Sequence, residues 1–250
     1  ALTDVDIGPD GHMYFCVGGR KGQSYLYRVR YVGDESTELS PLDTSSEHYQ
    51  ARKTRHKIEA FHGKSNPKAI ETVWSYLSSD DYHLRYAARI AIEWQNPKTW
   101  ADKAYGEPND LAAIHALLGL ARCDFDGSQQ PSIDRLLKVD FSKLDKIGKL
   151  ALLRTYSVIM SRAGKPDDAQ IGAIGKQLDP HYPASDDNLN EELCRVLCYL
   201  QHPSVVSKTI TLMKSTKVAV PDYDPEMIKR GGHYGKTILA AMSENVAPNV

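Results

Sequence analysis

No stretch of this chain stays apolar long enough to span a bilayer. No charge of one sign dominates either: 31 basic residues against 32 acidic ones give a formal net charge of −1. A balance that even gives no electrostatic reason to expect nucleic acid or an anionic membrane as partner. The basic run Arg52-Lys53-Thr54-Arg55-His56-Lys57 is the sole local excess, and its expected role is a solvated helix face. The four cysteines (Cys16, Cys123, Cys194, Cys198) lack the spacing of a disulfide framework, and a chain of this length needs none. There is no Cys-x-x-Cys-His haem attachment, no Gly-x-Ser-x-Gly elbow, no His-Glu-x-x-His and no dinucleotide fingerprint. The first residues, Ala1-Leu2-Thr3-Asp4, carry no initiator Met and no charged-then-apolar signal, so the expectation is a piece of a longer protein.

What is present changes period along the chain. Over residues 1–33 the period is two. Val5 and Ile7 alternate with Asp4 and Asp6, then Gly8-Pro9-Asp10-Gly11 supplies a turn. Met13, Phe15 and Val17 alternate with Tyr14 and Cys16. After Gly18-Gly19-Arg20-Lys21-Gly22, a third strand sets Tyr25, Tyr27, Val29 and Tyr31 on one face and Arg28 and Arg30 on the other. This predicts a three-stranded antiparallel meander, too small to hold a core of its own. Residues 34–47 are acidic, Ser/Thr-rich and broken by Pro41, a linker ending in an N-cap at Ser45 or Ser46.

Residues 48–250 then read as helices. Val73-Trp74-Ser75-Tyr76-Leu77 and Val196-Leu197-Cys198-Tyr199-Leu200 each precede a polar break and a second helix. Their offset, 200 − 77 = 123, is three steps of 41, the length of a HEAT-type hairpin. Ile70, Val73, Trp74 and Leu77 form one stripe, and Asp80 or Asp81 caps the next helix. Leu84, Ala87, Ala88, Ile90, Ala91 and Trp94 cover more than one face of that helix, which Pro97 ends. Leu111–Ala121 is nearly all apolar and should be central. Further helices are expected near 131–139, 144–163, 167–178, 188–201, 203–215 and 225–244, with Val206, Ile210 and Met213 facing inward. Lys214–Asp224 should run as an irregular connection. The fold class is therefore mainly α: a HEAT/ARM-type solenoid after a short meander. Trp74, Leu77, Leu118, Leu197 and Leu200 are its expected core.

The chemical candidates are incomplete. Gly231-Gly232-His233-Tyr234-Gly235-Lys236-Thr237 resembles a phosphate loop but fails its glycine count and lacks a buried strand before it. Cys194, Cys198 and His202 fall one turn apart, as soft zinc or copper ligands would. A fourth ligand is missing, so core packing is the expectation. Asp4, Asp6 and Asp10 lack the Gly and Glu of a calcium loop and read as turn and edge residues. Arg85, Arg89, His83 and Asp81 could converge, though a solvated helix face explains them more simply. The expected catalytic, cofactor-binding and metal residues in this chain are none.

A family resemblance goes further. Thr3-Asp4-Val5-Asp6-Ile7-Gly8-Pro9-Asp10-Gly11-His12-Met13-Tyr14, Gly18-Gly19-Arg20 and Tyr25-Leu26-Tyr27-Arg28-Val29 resemble the last blade of the six-bladed propellers of soluble quinoprotein sugar dehydrogenases. A second set is Ala60-Phe61-His62-Gly63, Tyr76-Leu77, Arg85-Tyr86-Ala87-Ala88-Arg89, Ala116-Leu117-Leu118-Gly119-Leu120-Ala121-Arg122, Leu189-Asn190-Glu191-Glu192-Leu193-Cys194 and Pro203-Ser204-Val205-Val206. It is similar to the helical region that follows such propellers in the large planctomycete-type membrane-bound dehydrogenase or haem-binding proteins. The resemblance implies an exported, periplasmic redox parent built as propeller, HEAT repeats and c-type cytochrome. That parent would carry haem c and a quinone or calcium, none of it held by this piece. The implied role is a spacer between the propeller and cytochrome domains. The alternative is a module whose concave face binds a protein or polysaccharide.

Overall fold

A computed structural model of the chain describes residues 2–19, 22–36 and 43–215. The expected helix at 225–244, the Gly231–Thr237 segment and nearly all of the Lys214–Asp224 connection lie outside the described residues. The fold is mainly helical, with one small antiparallel sheet. It divides into two compact units, residues 1–49 and 50–250.

In the first unit, strands β1 (Leu2–Ile7), β2 (Met13–Val17) and β3 (Tyr25–Val29) pair in the order β1-β2-β3. The turn before β2 is closed by Gly8 N–H donating to His12 O at 2.9 Å, and Gly11 sits at φ 75°, where a side chain would strain the backbone. The register pairs Val5 with Phe15 and Phe15 with Tyr27, then Ile7 with Met13 and Met13 with Val29. Alternation therefore collects the apolar side chains on one face, where the Phe15 and Tyr27 rings stack at 5.1 Å. No residue of the three strands is buried.

The helices begin with α1 (Glu47–Glu59), whose start falls in the first unit. Ser46 Oγ accepts the Tyr49 N–H at 3.2 Å there, and Arg52, Lys53, His56 and Lys57 are exposed. The second unit continues with α2 (Ala69–Val73), α3 (Tyr82–Glu93), α4 (Ala101–Gly106), α5 (Asp110–Arg122) and α6 (Gln129–Leu136). Then come α7 (Lys146–Ala163), α8 (Asp168–Leu178), α9 (Asp187–Tyr199) and α10 (Val205–Ser215). Capping explains the starts. Asp81, Asn109, Asp145, Asp167 and Asp186 each accept a first-turn N–H of α3, α5, α7, α8 and α9. At the far end of α7, Gly164 takes φ 86° and donates its N–H to Met160 O.

The core runs through α5, which packs on α3, on the 3-10 turn Trp74–Ser78 and on α7; α7 packs in turn on α9. Ile114, Leu117, Leu120, Leu152, Leu153, Leu193 and Leu197 are fully enclosed. Uncharged side chains tie helices together by donating to carbonyls and a carboxylate of other helices. Gln129 Nε2 donates to Ala163 O and Gly164 O, and Gln170 Nε2 to Gln130 O and the Asp134 carboxylate. Gln177 Nε2 donates to Leu136 O and Val139 O while its Oε1 accepts the Tyr156 hydroxyl. Thr155 reaches Ile114 O from 41 residues away.

Four expectations need correcting. The first Tyr-Leu pair does not close a full helix: α2 ends at Val73 and the chain tightens into the 3-10 turn Trp74–Ser78. Thr72, Val73, Trp74 and Ser75 are poor helix formers, which favours that tightening. Leu118 is only half-buried, because the 100° step between residues turns Leu117 and Leu120 inward in its place. On α10 the inward stripe is displaced by one residue. Val205 is buried, whereas Val206, Ile210 and Met213 are 63%, 47% and 43% exposed. The short helix α4 was not expected; Ala101 and Ala104, one turn apart, are its buried face.

Candidate functional site

The polar seam between α3 and α5 holds the most unusual side chains of the second unit. Arg85, Arg89 and Glu93 repeat every fourth residue along α3, so they line one face. Opposite them α5 presents His115, Gly119 and Arg122. Gly119 faces them closely: a Cβ there would make ordinary contacts, 3.5 Å from Glu93 Cγ and 3.6 Å from Arg89 Cγ. Arg89 and Arg122 both bind Glu93, the latter at 2.9 Å through Nε. Arg85 is 3% exposed and pairs with no carboxylate among the described residues. Its Nη1 donates to the Ser79 and Asp80 carbonyls, which caps the end of the 3-10 turn, and its Nε is buried without a partner.

His115 is the sharpest anomaly, since both ring nitrogens are buried and unpartnered. Burial, reinforced by the charges of Arg85 and Arg89, pulls its pKa down to about 4. The ring is therefore neutral at ordinary pH. Among the described residues no hydroxyl, thiol or carboxylate is hydrogen-bonded to it, so no nucleophile–base pair is formed there. Outside the seam, Tyr82 and Tyr86 stack at 6.0 Å and are 61% and 48% exposed, and the Arg89 guanidinium lies 5.0 Å above the Tyr86 ring. Of the four residues weighed for convergence, Arg85 and Arg89 do meet. Asp81 is spent as the α3 cap, and His83 turns outward, edge-on to Tyr82 at 5.5 Å. Sequence reasoning missed His115, Gly119 and Arg122. Their signal was a polar row spaced one turn apart in an otherwise apolar helix.

A cleft of about 370 Å³ lies where the ends of α5 and α7 meet the start of α6, lined by Phe125, Ile159, Ser128, Gln129, Arg162 and Asp124 among others. Two of its charged groups bind each other, as Arg162 donates to Asp124 at 2.6 Å and also to Arg122 O at 3.3 Å.

Of the two cysteines expected to pack in the core, Cys194 does pack against it and Cys198 does not. On α9, Cys194 is half-buried and Cys198 exposed, with their sulfurs 3.9 Å apart. His202 does not join them. Its Nδ1 faces Ser204 Oγ at 3.0 Å and Asp179 at 3.4 Å, and its ring fills the space over Gly175. Partial desolvation and the neighbouring Cys194 push the Cys198 thiol up. Asp4 and Asp6 bind the next backbone N–H, and Asp10 binds Tyr14 and Arg28. Among the described residues no group of three His, Cys, Asp or Glu side chains is placed to hold a metal, and no helix is long and apolar enough to cross a membrane. No family model matches the chain, and neither curated proteins nor solved structures yield a match to it.

Proposed function

We propose that the helical unit is a HEAT-type solenoid that acts as a rigid spacer. The observation that carries this reading is the cross-linking between helices at a near-constant sequence interval. Arg122 with Arg162, Gln130 with Gln170, Leu136 with Gln177 and Lys146 with Asp186 are separated by 40, 40, 41 and 40 residues. A stack in which each repeat binds mainly its neighbours gives length and stiffness without a reaction centre. By the resemblance of the flanking motifs, the spacer belongs to an exported redox protein, between a propeller and a c-type cytochrome domain. The haem c, and a quinone or calcium, belong to those domains.

Rigidity is measurable. Spin labels at Glu71 and Ser207, both exposed, in a variant with its native cysteines replaced by serine, should give one narrow distance distribution. A distribution as broad as that of a flexible chain would remove the spacer reading. The redox setting is tested separately by the encoding gene, where a downstream Cys-x-x-Cys-His is expected and its absence would detach the spacer from any cytochrome. The second reading, a protein-binding module, is favoured by the exposed Tyr82–Tyr86 pair, backed by the buried Arg89 guanidinium, because Tyr is among the residues that anchor interfaces. Tyr82→Ala with Tyr86→Ala would abolish partner capture under that reading and leave the label distance unchanged under the first.

A further inference from the structure

Cys194 and Cys198 sit one turn apart on α9, and this spacing decides what chemistry they can do. Residues so placed keep their Cβ atoms roughly 5–6 Å apart. A disulfide needs about 3.5–4.5 Å between the same atoms, so closing one would require α9 to unwind. One soft atom inserted between the sulfurs meets no such obstacle. With bonds of about 2.3 Å, one atom can join two thiolates that stand anywhere up to ~4.6 Å apart, according to the angle it prefers. The observed separation is 3.9 Å, with the thiols free rather than oxidised.

The surroundings narrow the ligand. Cys198 is exposed, so the pair opens to solvent. Cys194 lies 3.6 Å from the Thr209 hydroxyl, which is itself hydrogen-bonded to Tyr182 at 2.7 Å, so the inner wall supplies only weak oxygen donors. His202 is committed to Ser204 and Asp179. With no third His, Cys, Asp or Glu in place among the described residues, the set is short of the four ligands of a structural zinc site.

We propose that Cys194 and Cys198 form a bidentate chelate for a single thiophilic centre that two thiolates satisfy, such as trivalent arsenic or monovalent copper. With a phenylarsenic(III) oxide, two S–H bonds and the arsenic–oxygen bond break, two As–S bonds form and one water leaves. Arsenic stays trivalent and no oxidant is needed. With a monovalent ion, two thiol protons are released and no electron moves.

The test uses the full, reduced chain and equimolar phenylarsine oxide, read by intact mass. One adduct per chain is expected. It should be reversed by a dithiol but not by a monothiol, and blocked by one equivalent of monovalent copper. Cys198→Ser and, separately, Cys194→Ser should each weaken retention at least tenfold, whereas joint replacement of Cys16 and Cys123 should leave it intact. Cys198 is exposed, so its serine variant keeps the fold, and circular dichroism checks this. An adduct that survives Cys198→Ser, a failure of copper to compete, or ready closure of a Cys194–Cys198 disulfide in the folded chain would overturn the proposal.

Discussion

The sheet and the helix α5 are both rich in apolar residues, yet they meet water in opposite ways. In the sheet Val5, Ile7, Met13, Tyr27 and Val29 share a face and are 52%, 60%, 43%, 46% and 46% exposed. In α5, Ala112, Ala113, Ile114, Ala116, Leu117, Leu120 and Ala121 are buried. Composition alone does not make a core. A two-faced ribbon of three short strands can point its apolar side one way but has no second layer with which to enclose it. A helix flanked on several sides has most of its faces covered by neighbours, which encloses all but a minority of its residues.

Hydrogen exchange should show the contrast most strongly. Amides of Met13–Val17 should exchange several orders of magnitude faster than those of Leu117, Leu120 or Leu197, because local opening of the ribbon exposes little that was covered. Equal protection would mean that the ribbon has a cover and belongs to the core. Substitution gives the same contrast in free energy. Leu197→Ala, at a site with no exposure, should cost about 2–5 kcal/mol in urea unfolding of the helical unit. Val5→Ala should shift that transition by under about 0.5 kcal/mol.

Acid sharpens the comparison, since the helical unit holds a buried histidine and the sheet none. His115 is lowered from 6.5 to about 4 in the fold, so the unfolded chain binds the proton more readily. The associated stability is complete above pH 6.5 and is lost as the pH falls through 4, on the order of 3 kcal/mol in all. His115→Leu should flatten that part of the pH–stability curve, and a curve of unchanged slope would show that the ring finds a partner. Gln177→Ala strands the Tyr156 hydroxyl and removes a donor from the Leu136 and Val139 carbonyls, for an expected cost of about 1–3 kcal/mol. The smallest effect belongs to the surface. Arg195→Ala removes exposed pairs with Glu191 and Glu192 and should cost no more than about 0.5 kcal/mol.

The strands, their alternation and most helices were legible because period two and period 3.6 are written in the apolar residues themselves. The stripe of Leu189, Leu193, Val196, Leu197 and Leu200 is buried as the spacing predicts. Less legible was anything set by phase. Leu118 against Leu117 and Val206 against Val205 are decided by a rotation of one residue, which depends on the neighbouring helix. The α3–α5 seam was hidden for a different reason. Arg85 and His115 are thirty positions apart (115 − 85), and only the packing of two helices brings a buried guanidinium beside an imidazole. The cysteine pair was visible as a spacing, but whether it faced the core or water was not.

The glutamine bridges between successive helices have a mechanical consequence. Gln129 and Gln177 reach other helices through neutral amides, while Lys146–Asp186 and Arg162–Asp124 join helices through ions that are open to solvent. Dissolved salt screens the ionic clasps and leaves the amide ones untouched. Rising ionic strength should therefore weaken the solvent-facing ion pairs and leave the amide hydrogen bonds between these helices in place.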